Sequence, residues 1–401
     1  MFYGWIVVAA THAVLVVIFG VAYSFAAFFG ALEQEFAASR GDVSLVFAIC
    51  GFLYFTVGAF AGQLADRFGP RRVVLAGIVF LALGLAAASR AGSLAALYVT
   101  YSIGIGLGVG CVYVPSVGAV QPWFIARRGL ASGLAVAGIG VGNFVVPLVS
   151  AQLVAAFGWR RSFELLAAGA LVLGGIAALL IENRPQARGL YPDGARAGPG
   201  VSPPAQVAPG IRLGEAMGTR AFWLQWGAIF CCSIGLFMPF VHLVPYARDA
   251  GHPESTAVFL VSLIGVGSMV GRFGLAGLAD RIERRALDAV VYACMAVMLG
   301  FWLASTGAVA LGVFAVLFGA FYGAFVALQP PIAMDLYGAR SVSGVIGVLY
   351  TAAGVGNLLG PWLAGVAYDL TRSYAVPIVG SIVLMLGAVV LATMLRRARV
   401  T

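Results

Sequence analysis

Apolar stretches long enough to cross a bilayer recur along the whole chain, separated by short polar breaks. About 20 apolar residues span the ~30 Å hydrocarbon layer as a helix. Read between charged or Pro/Gly breaks, the pattern predicts spans near 4–29, 43–64, 72–89, 94–120, 129–155 and 162–182. A second six is predicted near 221–248, 254–279, 286–306, 308–335, 343–368 and 375–395. The runs lack the alternation of barrel strands, and a backbone in lipid must satisfy its own hydrogen bonds. The expected fold is therefore all-α and integral to the membrane, with twelve transmembrane helices in two six-helix bundles. Between the sets, 183–220 carries Pro185, Pro192, Pro199, Pro203, Pro204 and Pro209 with five arginines, the pattern of a flexible linker. The expected organisation is one bundle over 1–182, a linker over 183–220, a second bundle over 221–396 and a tail over 397–401.

Composition agrees: 62% of the 401 residues are hydrophobic and 10% charged, against about 25% charged in a soluble domain. The bilayer is the solvent. The net charge of +9 sits in short loops between spans, which points to membrane topology rather than nucleic acid. Every basic residue is an arginine, so Schiff-base chemistry is excluded. Seventeen arginines fall on one side of the predicted membrane, among them Arg67, Arg71, Arg72, Arg127, Arg128, those of the linker, Arg284 and Arg396. Six fall on the other: Arg40, Arg90, Arg160, Arg161, Arg248 and Arg372. Cytoplasmic loops accumulate basic residues, so both termini and the linker are expected in the cytoplasm, with the protein in the plasma (inner) membrane. The N-terminus enters an apolar run with no basic region before it, which argues against a removed signal peptide. Cys50, Cys111, Cys231, Cys232 and Cys294 lie in apolar runs without metal-ligand spacing and read as packing residues; no metal or cofactor is expected.

The halves repeat. Leu64-Ala65-Asp66-Arg67 returns as Leu278-Ala279-Asp280-Arg281, and Gly140-Val141-Gly142-Asn143 with Pro147 returns as Gly354-Val355-Gly356-Asn357 with Pro361. Both pairs are offset by 214 residues. Six spans per half give the halves the same orientation, as in parallel repeats about an axis along the membrane normal.

On these residues the chain resembles the major facilitator superfamily over nearly its whole length. The loop Gly62-Gln63-Leu64-Ala65-Asp66-Arg67-Phe68-Gly69-Pro70-Arg71-Arg72 is similar to that superfamily's signature, with a degenerate copy from Gly277 to Arg285. Within it, Trp123 to Gly138 resembles the span-five signature of the monocarboxylate transporters. Gly4-Trp5 resembles the end of their first-span signature, and Gly271-Arg272-Phe273 stands where they carry a substrate-binding arginine. The resemblance, read as to a bacterial member, implies a secondary transporter of a small monocarboxylate such as lactate or pyruvate. It further implies a conformational role for Asp66, Arg67, Arg71, Arg72, Asp280 and Arg281, where paired charges at helix ends bias two bundle arrangements.

Arg272 carries the chemistry. It lies eight residues, about 12 Å, inside the span end marked by Asp280. A guanidinium at that depth costs at least ~2.5–3.5 kcal/mol and is kept where it faces a cavity or an anion. No acidic residue lies firmly within a span, because Glu164, Asp288 and Asp335 read as span-end residues at the surface. A planar fork matches a carboxylate. Tyr113, Tyr322, His242 and Ser268 are polar companions at comparable depth; Tyr23, His12 and Tyr374 have nothing in their spacing to distinguish a site from a packed interior. Relative to the family pattern, a span-one lysine is missing, with Tyr23 in that region, and Ser268 stands where an aspartate is usual. The expected proton coupling then falls to His242 or the substrate itself. An oxalate/formate-type antiporter would need a second cation, and span eleven offers Tyr350 and Asn357 instead. A non-transporting solute sensor is the remaining alternative. The chain lacks the GxxxxGK[ST] loop of ATP drive and the His/Asp/Glu clusters of a membrane enzyme.

Overall fold

The computed structural model describes residues 2–124, 127–182, 184–194, 210–275, 282–338 and 342–397. Eleven helical stretches among them are long and apolar enough to cross a membrane. One, Leu130–Leu180, has 51 residues, about 77 Å of helix, more than twice the hydrocarbon thickness. It breaks at Gly158 (φ 75°, ψ 165°), a left-handed conformation that glycine adopts without strain. It is two crossings joined by a sharp turn, so the protein has the twelve expected.

The spans are α1 (Tyr3–Glu35), α2 (Arg40–Phe68), α3 (Pro70–Ala88), α4 (Leu94–Trp123), α5 (130–157) and α6 (159–180). They continue as α7 (Arg220–Asp249), α8 (Glu254–Gly274), α9 (Arg284–Leu303), α10 (Ala308–Tyr337), α11 (Val342–Thr371) and α12 (Ala375–Arg397). Local signals set their ends. The hydroxyls of Ser39, Ser93 and Thr219 accept from backbone N–H groups in the first turns of α2, α4 and α7. Pro70 opens α3 directly after Gly69. α1 bends at Ser24, whose hydroxyl donates back to the Val21 carbonyl at 2.8 Å and competes with the helix ladder.

α2 runs along α11, α5 runs along α8, and α1 meets α7. The 214-residue offset carries α2 onto α8 and α5 onto α11, so the two long contacts are one contact repeated. Small residues allow it. A Cβ on Gly51 would fall 1.6 Å from Asn357 Nδ2, and one on its counterpart Gly265 would fall 2.7 Å from the Gly140 oxygen and 2.9 Å from the Asn143 carbonyl carbon. The repeated asparagines therefore mark the seam between halves, where Asn357 donates to the Ala48 carbonyl at 3.3 Å.

One expectation is corrected. Asp288 stands one turn inside the start of α9 but is buried in protein rather than exposed, and the Gln329 amide of α10 donates to it at 2.9 Å. Of the loop residues expected to act in the conformational change, Arg67, Arg71 and Arg72 are exposed. Asp280, Arg281 and the Asp66 side chain lie outside the described residues.

Candidate functional site

A cavity lies between the halves, walled by α1, α2, α4 and α5 on one side and by α7, α8, α10 and α11 on the other. Phe19, Phe55, Phe237 and Phe325 are among its apolar lining residues. About 50 Å³ is open to the centre of a water-sized group, where one water needs roughly 10–15 Å³. That suits a solute of a few non-hydrogen atoms. The polar wall consists of Arg272, Gln329 and the tyrosines Tyr23, Tyr113, Tyr322 and Tyr350. No acidic side chain lines it among the described residues.

Glycines bring the arginine to this wall. On α8, Cβ atoms at Gly267 and Gly271 would fall 2.0 Å and 1.8 Å from the Val316 and Ala320 oxygens of α10. On α10, Cβ atoms at Gly319 and Gly323 would fall 2.2–2.3 Å from α8 carbonyls. The two backbones thus touch along one stripe. Arg272 follows at once in a wide π turn, Gly271–Leu275, and its guanidinium carbon sits 5.9 Å from the Tyr322 ring centroid.

Arg272 is 9% exposed. Its Nη1 donates to the Val136 carbonyl of α5 at 2.8 Å, while Nε and Nη2 are buried without a partner. Those two nitrogens form the guanidinium edge whose N–H bonds run parallel, the edge that takes a carboxylate bidentately. Among the described residues no acid lines the cavity beside this buried, half-satisfied cation, and an arginine so placed is retained mostly where it meets a cavity or an anion.

Of the residues singled out in the sequence, Arg272, Tyr113 and Tyr322 meet in this cavity; His242 and Ser268 do not line it. Ser268 is buried at the α8–α10 contact, its backbone against Gly323 and its hydroxyl unpartnered. His242 lies towards the Arg40 end of the molecule. Its Nε2 is 2.7 Å from the Pro361 carbonyl, so it donates there, and its Nδ1 accepts from the Tyr374 hydroxyl at 3.2 Å. Tyr374 in turn accepts from Arg40 Nη1 at 3.0 Å.

Arg40 seals that end. It forks onto Asp249 at 2.6 Å and 2.7 Å and stacks 4.0 Å over the Tyr368 ring. Its backbone N–H and that of Gly41 donate to Asp369, at 3.1 Å and 2.8 Å, so a carboxylate of the second half caps a helix of the first. Below it, Tyr23 closes the cavity, with its hydroxyl 3.4 Å from that of Tyr322 and its ring 4.5 Å from that of Phe240.

Gln329 was not singled out from the sequence, although an amide in an otherwise apolar run before Pro330-Pro331 was a usable signal. Tyr350 was considered only for a second cation-type contact. For Phe19, Phe55 and Phe237 no sequence signal separates a cavity wall from a packed core.

Two six-helix halves meeting at a central aromatic cavity lined by Arg272 have the architecture of a two-bundle membrane transporter. The family model described as Major Facilitator Superfamily matches residues 11–314. Monocarboxylate transporter 13 of Bos taurus is 30% identical, with 98% of this chain and 89% of that protein covered. Monocarboxylate transporter 3 of Rattus norvegicus is 31% identical, with 93% and 76% covered. The crystal structure of a bacterial homolog to the human lysosomal transporter Spinster, in an inward-facing and unoccupied conformation, matches with a TM-score of 0.73 at 16% identity, over 98% of this chain and 97% of that one. That last likeness is one of fold. The chain belongs to the major facilitator superfamily and, within it, to the monocarboxylate transporters.

Proposed function

We propose that the protein carries a small monocarboxylate of the lactate and pyruvate class, together with a proton, by alternating access. The bundles 1–182 and 221–396 move about the central cavity, and the arginine asymmetry of the loops favours a plasma (inner) membrane orientation with both termini and the linker cytoplasmic. The observation that carries the reading is Arg272, a guanidinium lining an aromatic cavity with its Nε and Nη2 left without a partner. The carboxylate takes the fork and the short apolar tail rests against Phe19, Phe55 and Phe237. An oxalate/formate-type exchange is disfavoured because Arg272 is the sole cation on the described cavity wall. A sensor without transport would bind the same anion and give no counterflow.

The test is a panel of short carboxylates competing with labelled lactate for uptake into proteoliposomes, with and without an imposed pH gradient. Monocarboxylates of two to four carbons should compete, dicarboxylates should not, and an acid exterior should drive accumulation. Competition by oxalate alone, or binding without counterflow, would replace this reading with one of the alternatives.

A further inference from the structure

Asp288 is buried among neutral partners. The Gln329 amide donates to its Oδ1 at 2.9 Å, and the Tyr292 hydroxyl, one turn on, accepts from the same amide at 3.5 Å. Gln329 also reaches Gln225 of α7 at 3.4 Å, and Gln225 accepts from Tyr337 at 3.2 Å. Of the other charged groups near this end of the surrounding helices, Arg220 and Arg397 are exposed and the rest are engaged elsewhere. Arg284 Nη1 donates to both carboxylate oxygens of Asp335, at 2.8 Å and 2.9 Å, while Arg285 and Arg396 turn to Glu283. Cys232 of α7 is a buried free cysteine. No arginine pairs with Asp288 among the described residues. A charged carboxylate in such a place is costly unless it has a task, and an ionisable group inside a membrane protein marks an ion or proton site by default.

Gln329 belongs both to this cluster and to the cavity wall. One amide side chain separates the carboxyl from the space where the anion binds beside Arg272. We infer that Asp288 is the site of the co-transported proton, linked to the anion through Gln329. Two negative charges on either side of one amide side chain repel each other across a medium that screens less than water. A proton on Asp288 removes that repulsion and turns one carboxyl oxygen from acceptor to donor, which the Gln329 amide answers by turning over. Proton and anion therefore bind with positive, reciprocal coupling. One proton moves with one anion, so the charge on the loaded carrier equals that on the empty one.

This inference rests on the proton-coupled reading, and the experiment separates the two. Lactate affinity of the purified full chain is measured by intrinsic tryptophan fluorescence across pH. The wild type should bind roughly tenfold more tightly in acid than in alkali, Asp288→Glu should keep a pH dependence, and Asp288→Asn should be flat. If Asp288→Asn is not recovered folded, Gln329→Leu decides, because it cuts the carboxyl from the cavity wall and must shrink the slope. A wild type indifferent to pH removes the proton-coupled reading itself. A responsive wild type with an equally responsive Asn variant, or an unchanged slope in Gln329→Leu where that variant decides, overturns the Asp288 assignment alone.

Discussion

Arg40 of α2 and Asp249 of α7 form a two-pronged pair, at 2.6 Å and 2.7 Å, and theirs is the one ion pair among the described residues that joins the two halves. It sits where α1, α2, α7, α11 and α12 converge. Tyr368, Asp369 and Tyr374 of the second half add a stacked ring, a helix cap and a hydroxyl to the same arginine. The structure is therefore closed at this end, and opening the cavity to this face means releasing the Arg40 side chain from three partners and its backbone from a fourth.

Releasing it should shift the equilibrium. A charge-assisted pair of this kind contributes on the order of 1–3 kcal/mol, so Arg40→Gln or Asp249→Asn should raise the population open at this face by roughly tenfold or more. The reporter is Phe29→Cys, a fully buried position beside His242, modified by an impermeant thiol reagent added on the Arg40 side. Its labelling rate should rise in either variant. An unchanged rate would mean that packing rather than charge holds the seal.

Arg272→Lys and Arg272→Gln should both insert and fold, and both should lose transport. Lysine keeps the charge but not the parallel pair of N–H groups, so affinity should fall at least ~tenfold; glutamine should lose more. Glutamine should also raise the melting temperature of the substrate-free protein, because a buried, half-satisfied charge is removed. Transport at wild-type level by Arg272→Gln would sink the anion site.

His242 belongs to the seal by position. His242→Gln should leave the half-saturation concentration for lactate within about threefold and should increase Phe29→Cys labelling, since the Arg40–Tyr374–His242 chain is weakened. Were His242 instead to hold substrate, half-saturation would rise by the ~tenfold or more that loss of a hydrogen bond to a charged group brings.

The glycine stripe between α8 and α10 gives an internal comparison. Gly271→Ala places a methyl 1.8 Å from a backbone oxygen that cannot turn aside, whereas a Cβ at Gly274 meets nothing within 4 Å. Gly271→Ala should destabilise by about 1–3 kcal/mol and impair transport by displacing Arg272 from Tyr322. Gly274→Ala should be neutral or stabilising, since alanine is the better helix former. Thermal unfolding in detergent reads both.

The sequence by itself determined the twelve spans, because crossing hydrocarbon demands long apolar helices whatever surrounds them. It determined the pairing of halves, because equivalent residues recur at one offset, and it isolated Arg272, because an arginine in such a run stands out. Only the tertiary structure decided which way each helix faces. A soluble helix carries an apolar stripe that marks its inner side, but α1, α4 and α10 are apolar all round, so polarity could not show that Tyr23 and Tyr350 reach the cavity and His242 does not. The facing is set by glycines that let backbones touch, and a glycine shows its partner only once the partner is in place. Asp288 near the end of α9 looked like a surface charge for the same reason. Its depth is fixed by α7 and α10 closing over it, and nothing within α9 records that.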